Sequence, residues 1–240
     1  MRILGLLVML PLIACSAGKA ESGEAAEARG RGPTRDYDVS GFTAVNLRGA
    51  DDVEVRVGPG FSVRAQGPEE ELDRLEIVRD GDTLQVGRKR GSGWNWGKSE
   101  GVTVFVTMPS IAAVGLAGSG DLAVDRVDGE RFKASLAGSG NLSLGALRVE
   151  DAELSLAGSG DLTGAGVARR LAVKLAGSGD VDARQLTASE AVVSLAGSGD
   201  VRATVNGPVN VNLVGSGDVE LGGDARCTIS KRGSGEVRCR

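Results

Sequence analysis

Five aspartates recur at near-constant spacing in the second half of the chain: Asp121, Asp161, Asp180, Asp200 and Asp218. Asn141 interrupts the series and Glu236 ends it, and each of these residues directly follows a Gly-Ser-Gly triplet. If successive copies lie side by side, the carboxylates form one column, and neighbours repel by about 1 kcal/mol in water. A bound Ca²⁺ would relieve that repulsion, since it takes six to eight oxygen ligands. Hydrogen bonds from turn backbone N–H groups would relieve it without any ligand. The sequence leaves both chemistries open.

A second group is the stretch "GRKRGSGWNWGKSEG" (87–101), where Arg88, Lys89 and Arg90 precede Trp94 and Trp96, the only tryptophans of the chain. Residues two apart share a face of an extended segment. The two rings would then stack on sugar, and the cations would meet anionic glycan or lipid headgroups. The alternative is that both rings cover the open end of a core.

Other chemistries are excluded by composition. The chain has no histidine, which removes Ser-His-Asp and Cys-His catalysis, histidine-ligated zinc and histidine pH switches. Its carboxylates belong to the repeat or are scattered through turns, so no enzyme is expected and no cofactor is required, calcium being the one candidate. A net charge of -4 gives no footprint for nucleic acid.

The elements that must hold these residues follow from the repeat. Seven evenly spaced Gly-Ser-Gly triplets start at Gly118, Gly138, Gly158, Gly177, Gly197, Gly215 and Gly233, separated by 20, 20, 19, 20, 18 and 18 residues. Aligned on the triplet, Leu116, Leu136, Leu156, Leu175, Leu195 and Leu213 stand two residues before it. Leu122, Leu142, Leu162, Val181, Val201, Val219 and Val237 stand two residues past its second glycine. Polar residues lie between these positions, so each copy reads strand, corner, strand with one buried face. Hairpins of a sandwich would satisfy one copy. The recurrence of one side-chain type at each place favours stacked rungs of a β-solenoid, which bury together what no rung buries alone. Seven rungs at about 4.8 Å give roughly 30 Å.

Cys227 falls in the inward column of Phe132, Leu171 and Val209, and Cys239 in that of Val124, Leu144 and Leu221. Both thiols face the last rung, so a disulfide is expected in an oxidising compartment. Lys231 and Arg232 replace the usual Leu-Ala before Gly233 and cap the open edge, which argues for a single, monomeric solenoid.

The N-terminus reads "MRILGLLVMLPLIAC": a positive start and an apolar run too short for a comfortable membrane span. Leu12-Ile13-Ala14-Cys15 resembles the lipobox of bacterial lipoproteins, which implies a signal peptide over 1–14 and lipid on Cys15. Ser16 in place of Asp favours the outer membrane. Residues 15–37 then read as lipidated cysteine and flexible tether.

The stretches "GFTAVNL", "DVEVRV", "FSVRAQG", "LEIV", "TLQV" and "VTVFVTMP" within 39–109 read as strands, "PEEELDRL" (68–75) as a short helical turn, and Leu47–Val53 as a degenerate copy of Leu116–Leu122. One domain over 38–240 is expected, with irregular rungs over 38–108 and regular ones over 109–240. On "SGFTAVNLRGADDVEV", "DGDTLQV", "VTVFVTMPSIAAVGLAGSGDLAV" and the chain of GSGD corners, the sequence resembles the auto-transporter adhesin head, or GIN, domain family of bacterial envelope proteins. The resemblance implies an all-β, right-handed β-solenoid, exported and often lipid-anchored, and adhesion by analogy of fold. It offers no catalytic motif. The partners expected are a membrane, through the lipid, and an envelope protein or glycan.

Overall fold

The computed structural model describes residues 23–89 and 101–240. Its regular part is a stack of parallel rungs. Strand β10 (Ala113–Gly118) pairs with β11 (Leu122–Gly138), then come β12 (Asn141–Gly158), β13 (Asp161–Gly177) and β14 (Val181–Gly197), each parallel to the one before. Shorter pieces complete the stack: β15 (Val201–Val205), β16 (Pro208–Gly215), β17 (Val219–Gly222), β18 (Arg226–Arg232) and β19 (Val237–Cys239). The leucine column Leu116, Leu136, Leu156, Leu175, Leu195 and Leu213 is buried throughout, and each such side chain contributes roughly 2 kcal/mol.

Corners hold the rungs in register. The carbonyl oxygen of Gly158 accepts N–H bonds from both Ser178 and Gly179 of the next rung, at 2.9 and 3.1 Å. The same pair of bonds links Gly49 to Ser119 and Gly120, at 2.9 and 3.1 Å, and Gly138 to Ser159 and Gly160, at 2.9 and 3.1 Å. Gly177 takes φ +137°, and a methyl group there would stand 2.1 Å from the Gly158 oxygen. Gly179 has no such φ, but its methyl would meet the Gly160 oxygen at 2.0 Å. The first glycine is required by conformation and contact, the second by contact alone. Differences in rung length are absorbed elsewhere. Past the corner the alternation of buried and exposed residues breaks twice more in each rung, in β12 at 145–146 (the second bend) and 150–151 (the third). The ladders slip between Leu144 and Ala146, Thr163 and Ala165, and Ala183 and Thr187, all at the second bend.

The degenerate copy belongs to this stack. Strands β4 (Ala44–Gly49) and β5 (Asp52–Val57) form a rung in which Leu47 pairs with Leu116, Gly49 with Gly118 and Val53 with Leu122. On its outer side lie β8 (Thr83–Arg88), parallel to β4, and β9 (Thr103–Met108), parallel to β5. Antiparallel strands close this end: β7 (Leu75–Asp80) on β8 and β6 (Ser62–Gln66) on β9, with helix α1 (Glu69–Arg74) between them burying Leu72. The helical turn expected over 68–75 is this helix.

The tether is shorter than expected. β1 (Glu24–Ala25) pairs with β7, and β3 (Thr34–Tyr37) pairs with β6 and with β2 (Ala28–Arg29). Tyr37 is buried, and so is Arg35, which donates to the Gly32 carbonyl at 2.7 Å and to Asp73 at 3.2 Å. A polar composition read as solvated chain conceals a short strand whose buried cation has acceptors of its own. The remainder of the expected tether, with Cys15, lies outside the described residues.

Gly177→Ala should therefore cost about 3 kcal/mol or more, whereas Ser178→Ala, on the exposed tip, should stay within about 0.5 kcal/mol. Urea unfolding of the two variants checks both, and a Gly177→Ala chain as stable as its parent would show that the corners can yield.

Candidate interaction surface

The aspartate column exists and is used between rungs. Each carboxylate Oδ1 accepts the backbone N–H of its counterpart one rung on: Asp121 from Asn141 at 3.0 Å, Asp161 from Asp180 at 3.3 Å, Asp180 from Asp200 at 2.8 Å, Asp200 from Asp218 at 2.9 Å and Asp218 from Glu236 at 2.7 Å. Asp52 heads the column, accepting from Asp121 at 3.0 Å. It was findable from the degenerate copy, where it stands opposite Asp121. Arg202 lies against two members, at 2.7 Å from Asp200 and 3.6 Å from Asp180. Backbone donors and a side-chain cation thus supply what a calcium ion would. Among the described residues no group of three or more acidic or cysteine side chains is placed to hold a metal.

Of the basic and aromatic stretch, the structure describes Arg88 and Lys89; Arg90, Trp94 and Trp96 lie outside the described residues. Arg88 ends β8 and is committed inward. Its guanidinium donates twice to Asp51, at 2.8 Å through Nε, and also to Glu71. Asp51 has no solvent exposure, occupies the corner position that Gly120 holds one rung on, and also accepts the Val102 N–H at 3.3 Å. The hydrogen bond from Arg88 to Asp51 raises the arginine pKa, against a burial that opposes it, and Glu71 adds to the rise. Lys89 donates to the Asp73 carbonyl at 2.7 Å. Two of the three cations expected on a contact surface therefore tie the outer rung to α1. Asp51 was missed because one buried aspartate in a corner carries no periodic signal.

Cys227 and Cys239 form a disulfide, each in the inward column expected: Val209 pairs with Cys227 and Leu221 with Cys239. Lys231 replaces Leu213 in register and donates to the Gly235 carbonyl at 2.8 Å, while Ile229 stays 48% exposed beside it.

A feature without any sequence signal is a groove of about 630 Å³ that runs across the rungs from Arg131 to Pro208. Its walls carry paired charges. A hydrogen bond from Arg170 holds the Asp151 carboxyl below the ordinary range, and Lys174, with Lys133 behind it, does the same for Glu153.

These features define a parallel β-solenoid with one glycine corner column, a closed N-terminal end and no described cluster of catalytic type. The sequence matches the family described as "Putative auto-transporter adhesin, head GIN domain" over residues 41–225, and the chain belongs to that family. Solved structures share the fold. A "putative adhesin" from Bacteroides fragilis superposes with a TM-score of 0.77 at 18% identity, covering 86% of this chain and 96% of that one. A "putative lipid binding protein" from Parabacteroides distasonis gives 0.69 at 21% identity, covering 89% and 98%. A "putative adhesin" from Parabacteroides merdae gives 0.60 at 17% identity, covering 88% and 96%. No curated protein matches the sequence.

Removing Arg88 leaves the fully buried Asp51 charge without its main partner, so Arg88→Met should cost about 3–5 kcal/mol, read by urea unfolding. For the aspartate column, Asp200→Asn keeps an acceptor and should change stability little, Asp200→Ala should lose about 1 kcal/mol, and EDTA should leave the melting temperature of the parent unchanged. A melting temperature that falls with chelator would instead support a bound calcium ion in the column.

Proposed function

We propose that this chain is a non-catalytic protein of the bacterial envelope that displays a rigid β-solenoid as an adhesion or contact surface. The observation that carries the reading is the uniformity of the corner face. The same outward Ala, Ser and Asp columns repeat along the stack, which suits multivalent contact and offers no reacting centre. Family membership supports it, because the relatives are described as adhesins rather than enzymes. In the full reading the segment 1–14 is a signal peptide, Cys15 carries the lipid, and the outer membrane holds the anchor. Cysteine usage agrees, since a pair held as a disulfide belongs to an exported chain. The partner is an envelope protein or a glycan, and the solenoid acts as a single copy. The distasonis neighbour's name adds lipid as a further class of ligand.

Glycan binding through Trp94 and Trp96 is the second reading, favoured by two aromatic residues in one short stretch beside cations. Labelling cells with radioactive palmitate tests the anchor: the parent should take up label and sediment with the outer membrane, and Cys15→Ala should do neither. A soluble parent without label would overturn the lipoprotein reading. In the same preparation, saccharides from the envelope should quench tryptophan fluorescence if Trp94 and Trp96 form the site, and the heat of saccharide binding in calorimetry should vanish in the double alanine variant.

A further inference from the structure

The groove lies between two outward columns just past the third bend of each rung, on either side of the inward column Phe132, Ala152, Leu171, Ala191 and Val209. One column is Arg131, Asp151, Arg170, Glu190 and Pro208; the other is Lys133, Glu153, Ala172, Val192 and Asn210. Between them the floor comes from Ala152, Leu171 and Ala191. Towards the C-terminal rungs the walls turn apolar as well, through Ala172, Pro208 and Val192, the last 51% exposed.

Two properties select the occupant. The first is backbone saturation. The strands lining the groove are paired rung to rung through this region, so the groove has no free ladder to offer an added strand. A peptide or sugar laid along the apolar floor would turn polar groups towards Ala152, Leu171 and Ala191, which offer no partner, at a cost of roughly 1–3 kcal/mol for each group so buried. A hydrocarbon chain has no such groups. The second is charge. Asp151 is held by Arg170, Glu153 by Lys174 at 2.7 Å, and Glu190 faces Arg169 at 3.4 Å. That leaves Arg131, 85% exposed and 4.0 Å from Asp151, and Lys133, 3.5 Å from a Glu153 already bonded elsewhere, as the least committed charges. Both are cationic, and both stand at the N-terminal end of the groove.

We infer that this groove binds a single acyl chain carrying an anionic head, with the head at Arg131 and Lys133 and the tail running over Ala172 and Val192 towards Pro208. The length agrees. Five rungs at about 4.8 Å give about 19 Å, and carbon–carbon bonds of about 1.5 Å opened at about 111° cover this in roughly fifteen bonds. The occupant is a monomeric amphiphile rather than a bilayer surface, because a groove encloses one chain whereas a bilayer calls for protruding apolar side chains. The inference stands apart from the display reading, which holds with the groove empty.

The test is equilibrium dialysis of radiolabelled hexadecanoate, below its micellar concentration, against the full chain carrying Cys15→Ser so that no lipid of its own competes. One saturable site is expected, with hexadecanol bound about tenfold more weakly. The pair Ala172→Asp and Val192→Asp, both at outward positions, should abolish binding while the circular dichroism and melting temperature follow the parent. Arg131→Gln with Lys133→Gln should weaken hexadecanoate about tenfold and leave hexadecanol unchanged. Val214→Asp, at an exposed apolar site outside the groove, should alter neither. If the Ala172 and Val192 variant does not fold, the contrast between acid and alcohol in the Arg131 and Lys133 variant decides. No saturable binding of hexadecanoate, or binding undiminished by these variants, overturns the inference. So does binding only to vesicles of phosphatidylglycerol, which would make the patch a membrane contact.

Discussion

A carbonyl oxygen that accepts two N–H groups from the next corner is the contact on which the rest of this fold depends. It brings successive backbones so close that neither glycine of the triplet can carry a side chain. Once the corners are fixed, the leucine before them and the branched residue after them have no freedom of register. A slip of one residue would turn every inward side chain outward and drive a Cβ into a neighbouring carbonyl. Rung length then varies between 18 and 20 residues only away from this column, which is where the slips at the second bend are found.

A stack of this kind has two ends, and the two are treated differently. The N-terminal end reverses strand direction: β6 and β7 lie antiparallel on the outer rung, α1 covers the core, and Asp51 fills the last corner as the counter-charge of Arg88. A buried carboxylate at this corner is tolerable only because a guanidinium and a backbone N–H reach it. The last described rung keeps its strand direction instead. A disulfide joins its two inward positions, and Lys231 satisfies the Gly235 carbonyl.

What could be read from the sequence follows the same division. Positions that every rung constrains alike repeat, so the corners, the leucine column and even the Leu47–Val53 copy were placed in register from spacing alone, and the inward cysteines with them. Positions set by one contact do not repeat. Asp51 and Arg88 meet because the chain leaves the first rung, builds the cap and returns on its other side, a path that no local pattern encodes. Arg35 and Tyr37 were lost to composition, since a four-residue strand offers too few residues for alternation to stand out against a polar, glycine-rich background.

This division also says where recognition can reside. The corner aspartates recur because each holds the N–H of the next rung, so their regularity is explained without a ligand. The outward columns beside the third bend are under no such demand. Their strands are paired, their side chains face solvent, and the sequence there changes from charge to alanine to valine within three rungs. A solenoid that needs nothing from these positions can vary them at little cost in stability. Chemistry that is directional along the axis, with the least committed cations at one end and alanine, valine and proline towards the other, arises in this chain where the repeat is weakest, in the groove rather than on the ridge.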